Sequence, residues 1–246
     1  MSIDYKVRVY LASPVFEKVG GAKHPIMLDA LLARIALERQ GVRKTTAELD
    51  PKNIIFADLP IERIGKCYLC SAAFAPSRSY SKADSFAKRG TDAQNIRSFC
   101  KEFLGTGAVS IPALVPHIAV AEEYLDFYVR VTDKAEFFSL LKEAKRYGIG
   151  PKTSIGFGQI ASIHVAEEKE HGNRCFKTED GFPTRPLPYC DFKGKISDDA
   201  ATGWSTYYAP YWNSIGKAKC YLPRPEQYAK LDIADGVFED MVAEIG

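Results

Sequence analysis

The stretch "GIGPKTSIGFGQI", residues 148–160, gathers four glycines, one lysine and two hydroxyls into thirteen positions. Glycine-rich turns leave backbone N–H groups exposed and admit close approach by another backbone, so the chemistry to expect is anion binding. It is not a P-loop: five residues separate Gly150 from Gly156, and Phe157 stands where a lysine is needed. Gly156-Phe157-Gly158-Gln159-Ile160-Ala161 does match the loose dinucleotide pattern, which has meaning only between a strand and the following helix. Here the order is reversed. Upstream, "DKAEFFSLLKEAKRYG" predicts a helix with Asp133 as N-cap, Glu136 three residues on and Gly148 as C-cap. Downstream, "IASIHVAEE" predicts a strand. A helix, a glycine loop and a strand in that order exclude dinucleotide binding.

Other chemistry-bearing residues are sparse. Cys67 and Cys70 form the one close cysteine pair, while Cys100, Cys175, Cys190 and Cys220 are isolated, so a four-thiolate zinc site is not expected. Positions three apart in strand-like sequence point to opposite faces, which favours buried structural thiols. His24, His117, His164 and His171 are dispersed, with no metal-binding His-Glu-x-x-His and no nucleophile elbow. His24 beside Lys23, with Lys152 in the loop, is the set that a metal-independent ribonuclease would have to assemble. Asp29 is expected to brace the glycine loop by accepting hydrogen bonds from its N–H groups, a structural role.

The elements that must position these residues follow from periodicity. "YKVRVYLA" alternates, with Val7, Val9 and Leu11 against Lys6, Arg8 and Tyr10. "HPIMLDALLARIALERQG" carries Met27, Leu28, Leu31, Leu32 and Ile35 on one helical stripe, closed by Gly41. "NIIFADLP" and "KCYLCSAAFA" are strand candidates, and "HIAVAEEYLDFYVRVT" reads as one long strand. The resulting β-α-β-β-α-β order over about residues 3–168 predicts an α+β, ferredoxin-like (RRM-like, split β-α-β) core with both helices on one sheet face. The other face would hold Lys6, Arg8 and Tyr10 beside Tyr124, Tyr128 and Arg130. Two readings stand for it: a single-stranded RNA surface, or a face covered by a second protein layer from the residues after 170.

The chain is 246 residues long, 46% hydrophobic and 26% charged, with a formal net charge of +2, too mild to signal nucleic acid unless the cations cluster. The first residues enter a strand pattern and do not look like a signal peptide; with six unpatterned cysteines this predicts free thiols in a cytoplasmic protein, with no membrane segment. Local clustering does occur in "SRSYSKADSFAKRG", residues 77–90, where Arg78, Lys82, Lys88 and Arg89 face one acid, Asp84, with Tyr80 and Phe86 interleaved. That pattern predicts a loop that orders against nucleic acid. The tail contains the proline-rich "GFPTRPLPYCDF" and the aromatic "GWSTYYAPYWN", the latter favouring a small core or an interface anchor over a base-stacking platform.

Taken together, "HPIMLDALLARIALE" after the first strand, "GPKTSIGFGQI" before the last, and the late "TRPLP" and "APYWN" resemble the RAMP superfamily of CRISPR-associated proteins. More narrowly they resemble the Cas-five-type subunit of type IV effector complexes, on the strength of the Leu28-Asp29 helix and the tail. The resemblance implies a non-catalytic subunit without cofactor or metal, acting in antiviral defence. Such a subunit grips the 5′ handle of the guide RNA (crRNA), caps one end of the backbone filament and helps position target DNA. It implies crRNA and the other subunits of the ribonucleoprotein complex, backbone and large-subunit-like, as partners, and target DNA as a further one. The RNA-contacting element would be the loop Lys152, Thr153, Ser154, Gly156, Phe157 and Gly158, with Lys23, His24 and the cations of residues 77–90 as further contacts. An inserted thumb is expected at about 66–117 within a core of 1–168, followed by an irregular extension, 169–246. Some relatives cleave precursor RNA, so a metal-independent endoribonuclease on the same fold is the rival expectation.

Overall fold

The computed structural model describes residues 2–18, 25–42, 56–75, 80–88, 113–169, 173–209, 211, 216–223 and 243–244. The chain is of the α+β class. Strand β1 (Ile3–Leu11) pairs antiparallel with β7 (Tyr124–Val131) on one side and with β8 (Ile160–Glu167) on the other. A two-residue strand, β12 (Ala243–Glu244), continues the sheet beyond β8. Beyond β7 runs the segment 61–74, bonded through Ile61 to Val131, Cys70 to Val129 and Phe74 to Asp126. It is extended but interrupted by a small hairpin, β3 (Arg63–Ile64) and β4 (Cys67–Tyr68), turned by Gly65 at φ +59°. The expected strand at 66–75 is therefore an irregular sheet edge. Residues 56–60 are not a strand, and 53–55 lie outside the described residues.

Helices α1 (Leu28–Arg39) and α2 (Lys134–Ala144) cover one face. The apolar stripe of α1 is buried as its spacing predicts, and α2 buries Phe137, Leu140, Leu141 and Ala144. Asp133 caps α2 by accepting from the Glu136 N–H at 3.1 Å. Met27, not a capping residue, precedes α1, so this helix is held by packing against Tyr5, Val7, Val9 and Phe127 rather than by its own end. Arg39 ties the two helices together, reaching Glu143 at 2.8 Å, Glu136 at 2.9 Å and the Ser139 carbonyl at 3.0 Å.

The opposite face is covered by protein. The described residues between 173 and 223 form a second layer containing β9 (Leu187–Pro188), the short helix α3 (Tyr189–Phe192), β10 (Thr202–Thr206) and β11 (Lys217–Tyr221), with sheet order β10-β11-β9. Its apolar cluster joins Cys175, Phe176, Leu187, Phe192 and Tyr221 to Leu69, Phe74 and Tyr128 of the first layer.

A third hydrogen-bonded sheet has the order β2-β6-β5, made of β2 (Val15–Lys18), β6 (Ala113–Ala121) and β5 (Tyr80–Lys88), and its Val15 and Val120 join the helix-side core. The long strand expected at 117–132 is two strands, divided at Glu122-Glu123, where the chain passes from this sheet to the central one. Residues 80–88, expected as a loop, pair with β6 along their whole length. The reason is regular pairing with an apolar partner strand, "ALVPHIAVA", which outweighs the weak β-propensity of the polar run.

Candidate nucleic-acid interface

The glycine loop sits between α2 and β8, and its backbone explains its composition. Gly148, Gly150, Gly156 and Gly158 all have positive φ, as does Lys152 at φ +64°. Lys152 is the one non-glycine residue with positive φ among the described residues, a conformation that costs roughly 1–2 kcal/mol for an L-residue. Several of the loop's N–H groups are held within the protein. Ile149 donates to the Gly158 carbonyl at 2.7 Å, Gly158 to Pro14 at 2.8 Å, Ile155 to Lys152 at 3.1 Å and Gly156 to Thr153 at 3.1 Å. Ser13 closes the base, donating to the Gly156 carbonyl at 2.7 Å and accepting from the Gln159 N–H at 2.9 Å. Gln159 also donates its side-chain amide to the Thr153 carbonyl at 3.1 Å. Asp29 takes no part in this bracing.

What the loop presents outward is a short 3-10 turn, Thr153–Ile155, preceded by Lys152. Lys152, Ser154, Ile155 and Gly156 are exposed, Thr153 and Phe157 half-buried, and Gly158 buried. The two late glycines differ in kind. A Cβ on Gly156 would meet open space, whereas one on Gly158 would lie 1.9 Å from the Ile149 carbonyl oxygen. A side chain therefore has room at Gly156 and none at Gly158.

Phe157 keys the loop to the third sheet. Its ring lies 5.4 Å from Phe16 of β2 and 5.1 Å from His117 of β6, and those two rings stack at 5.3 Å. Across the register, His117 stands opposite Asp84, and Lys82, which is exposed, opposite Ala119. Tyr80 and Lys88 are the end residues of β5. Lys23, His24, Arg78 and Arg89 fall outside the described residues.

The basic and aromatic sheet face is neutralised rather than open. Arg8 forks onto Asp126 at 2.8 and 3.0 Å, with Lys6 3.3 Å from the same carboxylate, and all three are buried. Burial pulls the Lys6 pKa down against the attraction of Asp126; for Arg8, burial is outweighed by that carboxylate, and its pKa rises. Arg130 is held by Asp4 at 2.7 and 3.0 Å, and Arg174 of the second layer donates to the Tyr128 hydroxyl at 3.2 Å. Of the two readings of this face, covering by protein is the one realised at Lys6, Arg8 and Tyr128; Tyr10 and Tyr124 stay half-exposed at its end.

Asp29 has a different partner from the expected one. It lies 3.0 Å from Arg185, the arginine of "TRPLP", and accepts from the hydroxyl of Tyr211, the tyrosine of "APYWN", at 2.6 Å. Arg185 is wholly buried and also donates to the carbonyls of Tyr68 (2.8 Å), Cys70 (2.7 Å) and Tyr207 (2.9 Å), and to Tyr211. Burial opposes its charge, but Asp29 holds it protonated and raises its pKa well above the ordinary value. Three sequence motifs far apart in the chain thus meet in one buried ion pair. Sequence reasoning missed Ser13, Gln159 and Arg185. An Asp on the otherwise apolar buried stripe of α1 is the available signal that a buried cation must exist.

Cys67 and Cys70 face different cores, the second-layer cluster and the helix-side cluster respectively. Burial pushes the Cys67 thiol up to about 11 and the Cys175 thiol up to about 12, so these are poor nucleophiles. Among the described residues no group of three or more His, Cys, Asp and Glu side chains is arranged to hold a metal, and no helix is long and apolar enough to cross a membrane.

Neither a protein-family profile nor a curated protein sequence matches the chain. Among solved structures, the chain is similar to a subunit in the type III-B Cmr-beta structure bound to cognate target RNA, at 12% identity and a TM-score of 0.37. That match covers 68% of this chain and 61% of the other. It is also similar to a subunit of a CRISPR RNA-guided surveillance complex in a pre-nicking state, at 8% identity and a TM-score of 0.30, covering 74% of this chain and 82% of that one.

Proposed function

We propose that this chain is a non-catalytic, guide-RNA-binding subunit of a cytoplasmic CRISPR ribonucleoprotein, built on a ferredoxin-like RAMP core and gripping the 5′ handle of the crRNA. The observation that carries the reading is the glycine loop: its base is locked internally, while Lys152 and the turn Thr153–Ile155 project outward from a strained backbone. Lys152 supplies a cation, and the hydroxyls of Thr153 and Ser154 supply donors for phosphate oxygens. The Phe157, Phe16 and His117 rings fix this turn against the sheet that carries Lys82, so an RNA backbone on the loop would run toward the proposed thumb. The fold assignment is supported by the antiparallel order β8-β1-β7 followed by the 61–74 edge, with α1 and α2 packed together. The sequence resemblance supplies the handle and the partner subunits.

The test is to purify the chain from its native host with bound RNA, sequence that RNA, and measure affinity across a salt series. Guide RNA with a common 5′ handle is the expected cargo. Lys152→Ala should lower the slope of log affinity against log salt by about 0.7, one single-strand phosphate contact. Repeat RNA incubated with the chain should remain intact; cleavage that vanishes in His24→Ala would make the protein the endoribonuclease instead.

A further inference from the structure

We infer that the outer face of the β10–β11 hairpin is a second single-strand contact, at which a nucleobase stacks on Trp204 and the adjoining phosphates meet Lys219 and Lys217. Trp204 is 72% exposed, the largest exposure of any big apolar side chain among the described residues. The neighbouring position of β10, Gly203, turns toward the protein: a Cβ there would meet Leu222 at 2.8 Å, and its register partner Cys220 is buried. Alternation then fixes Trp204 on the outer side.

The register sets what surrounds it. Trp204 stands opposite Lys219 and Thr206 opposite Lys217, and both lysines are exposed. Lysines two positions apart on one strand lie about 7 Å from each other on the same face. Lys219 also sits 4.8 Å from the ring of Tyr189, which leans on Tyr221 at 5.0 Å. An aromatic, a cation and a second aromatic therefore follow one another across the surface. Neither "TGWST" nor "KAKCY" contains an acid.

That composition selects among occupants. On this face Trp204 is flanked by Thr202, Thr206, Lys217, Lys219 and, opposite Thr202, Tyr221, so its neighbours are two cations and an aromatic. A single strand needs a π-face for the base and cations for the backbone, with no sequence code. The inference rests on the reading of the chain as a single-strand binder but places a contact away from the glycine loop.

The experiment uses the full chain and a fluorescein-labelled uridylate oligomer of about 12 nucleotides, within the span such sites cover. Anisotropy is read over a KCl series for wild type, Trp204→Ala, Trp204→Phe, Lys217→Ala/Lys219→Ala and, in parallel, Lys152→Ala. Trp204→Ala is expected to weaken binding at least about 5-fold at an unchanged melting temperature, with Trp204→Phe recovering most of the loss. The double lysine variant is expected to lower the salt slope by about 1.4. Loss in Lys152→Ala with Trp204→Ala binding as wild type overturns this inference and leaves the loop reading standing. Loss in Trp204→Ala with Lys152→Ala unaffected supports it and overturns the loop. A wild-type chain that binds no oligomer overturns both. Normal RNA binding by Trp204→Ala, with loss only of association with protein subunits, makes the face a protein anchor and overturns the inference.

Discussion

Removing the carboxylate of Asp29 should be among the most damaging single changes in this protein. Asp29→Ala leaves Arg185 wholly buried with its four oxygen acceptors from Tyr68, Cys70, Tyr207 and Tyr211 but with no counter-charge. Neutral acceptors solvate the guanidinium only in part, and breaking one side of a buried pair costs about 3–5 kcal/mol. The Tyr211 hydroxyl loses its acceptor as well. For a chain of this size each kcal/mol moves the melting temperature by about 2–4 °C, so the expected fall is about 6–20 °C. Calorimetry or circular dichroism with urea titration would read it. Asp29→Asn, which keeps the shape and a bond to Tyr211, should fall less. Replacing both partners, Asp29→Leu with Arg185→Met, should cost less than the two single changes added, because no orphaned charge remains. Arg39→Ala, which breaks partly exposed pairs, serves as the control at about 1 kcal/mol or less per pair. An Asp29→Ala protein melting within about 2 °C of wild type would refute the argument, because a drop that small is under one kcal/mol.

Gly158→Ala should cost most of the folded yield because its Cβ would strike the Ile149 carbonyl, while Gly156→Ala, facing open space at φ +100°, should fold with a loss of about 1 kcal/mol. Comparing expression and melting of the two variants checks it. With Cys100 replaced by serine, a thiol reagent at pH 8 should titrate one group quickly, Cys190, since Cys67, Cys70, Cys175 and Cys220 are buried; unfolding should release the rest. Alkaline stability should fall from about pH 9 upward. The unfolded Cys67 thiol ionises near 9.0 and the folded one only at about 11, so the folded state retains a proton in that window and loses stability as pH rises through it. Cys67→Ala should flatten that part of the pH–stability curve.

The elements with clean periodicity were legible in the sequence: β1, both helices with their buried stripes, β7, β8 and the cap at Asp133. The misreadings share a cause, which is that tertiary pairing decided the matter. "SRSYSKADSFAKRG" is polar and aperiodic, and only the partner strand β6 makes residues 80–88 extended. "KCYLCSAAFA" looks like a strand but serves two cores, and the Gly65 turn breaks it into a hairpin and an edge. Within the site, the glycine loop was visible from composition, while its supports, Ser13 and Gln159, are ordinary residues made important only by folding. Asp29 is paired with Arg185 and not with the glycine loop, because nothing in one chain read linearly reveals that residue 185 will lie 3.0 Å away.

The strip from Cys67 to Phe74, with Cys67, Leu69 and Phe74 turned to one core and Tyr68 and Cys70 to the other, works as a party wall. Neither side can be demolished alone. A fragment ending near residue 168 would carry Leu69, Phe74 and Tyr128 as bare surface and Asp29 without Arg185, so expressing the first layer by itself should give aggregate rather than a minimal subunit. Residue 168 is not a place to cut, since one apolar cluster draws on both sides of it. Tags, fusions and trimmed versions of this protein are better placed at loops that leave both layers joined, and changes within the strip would have to suit both cores at once.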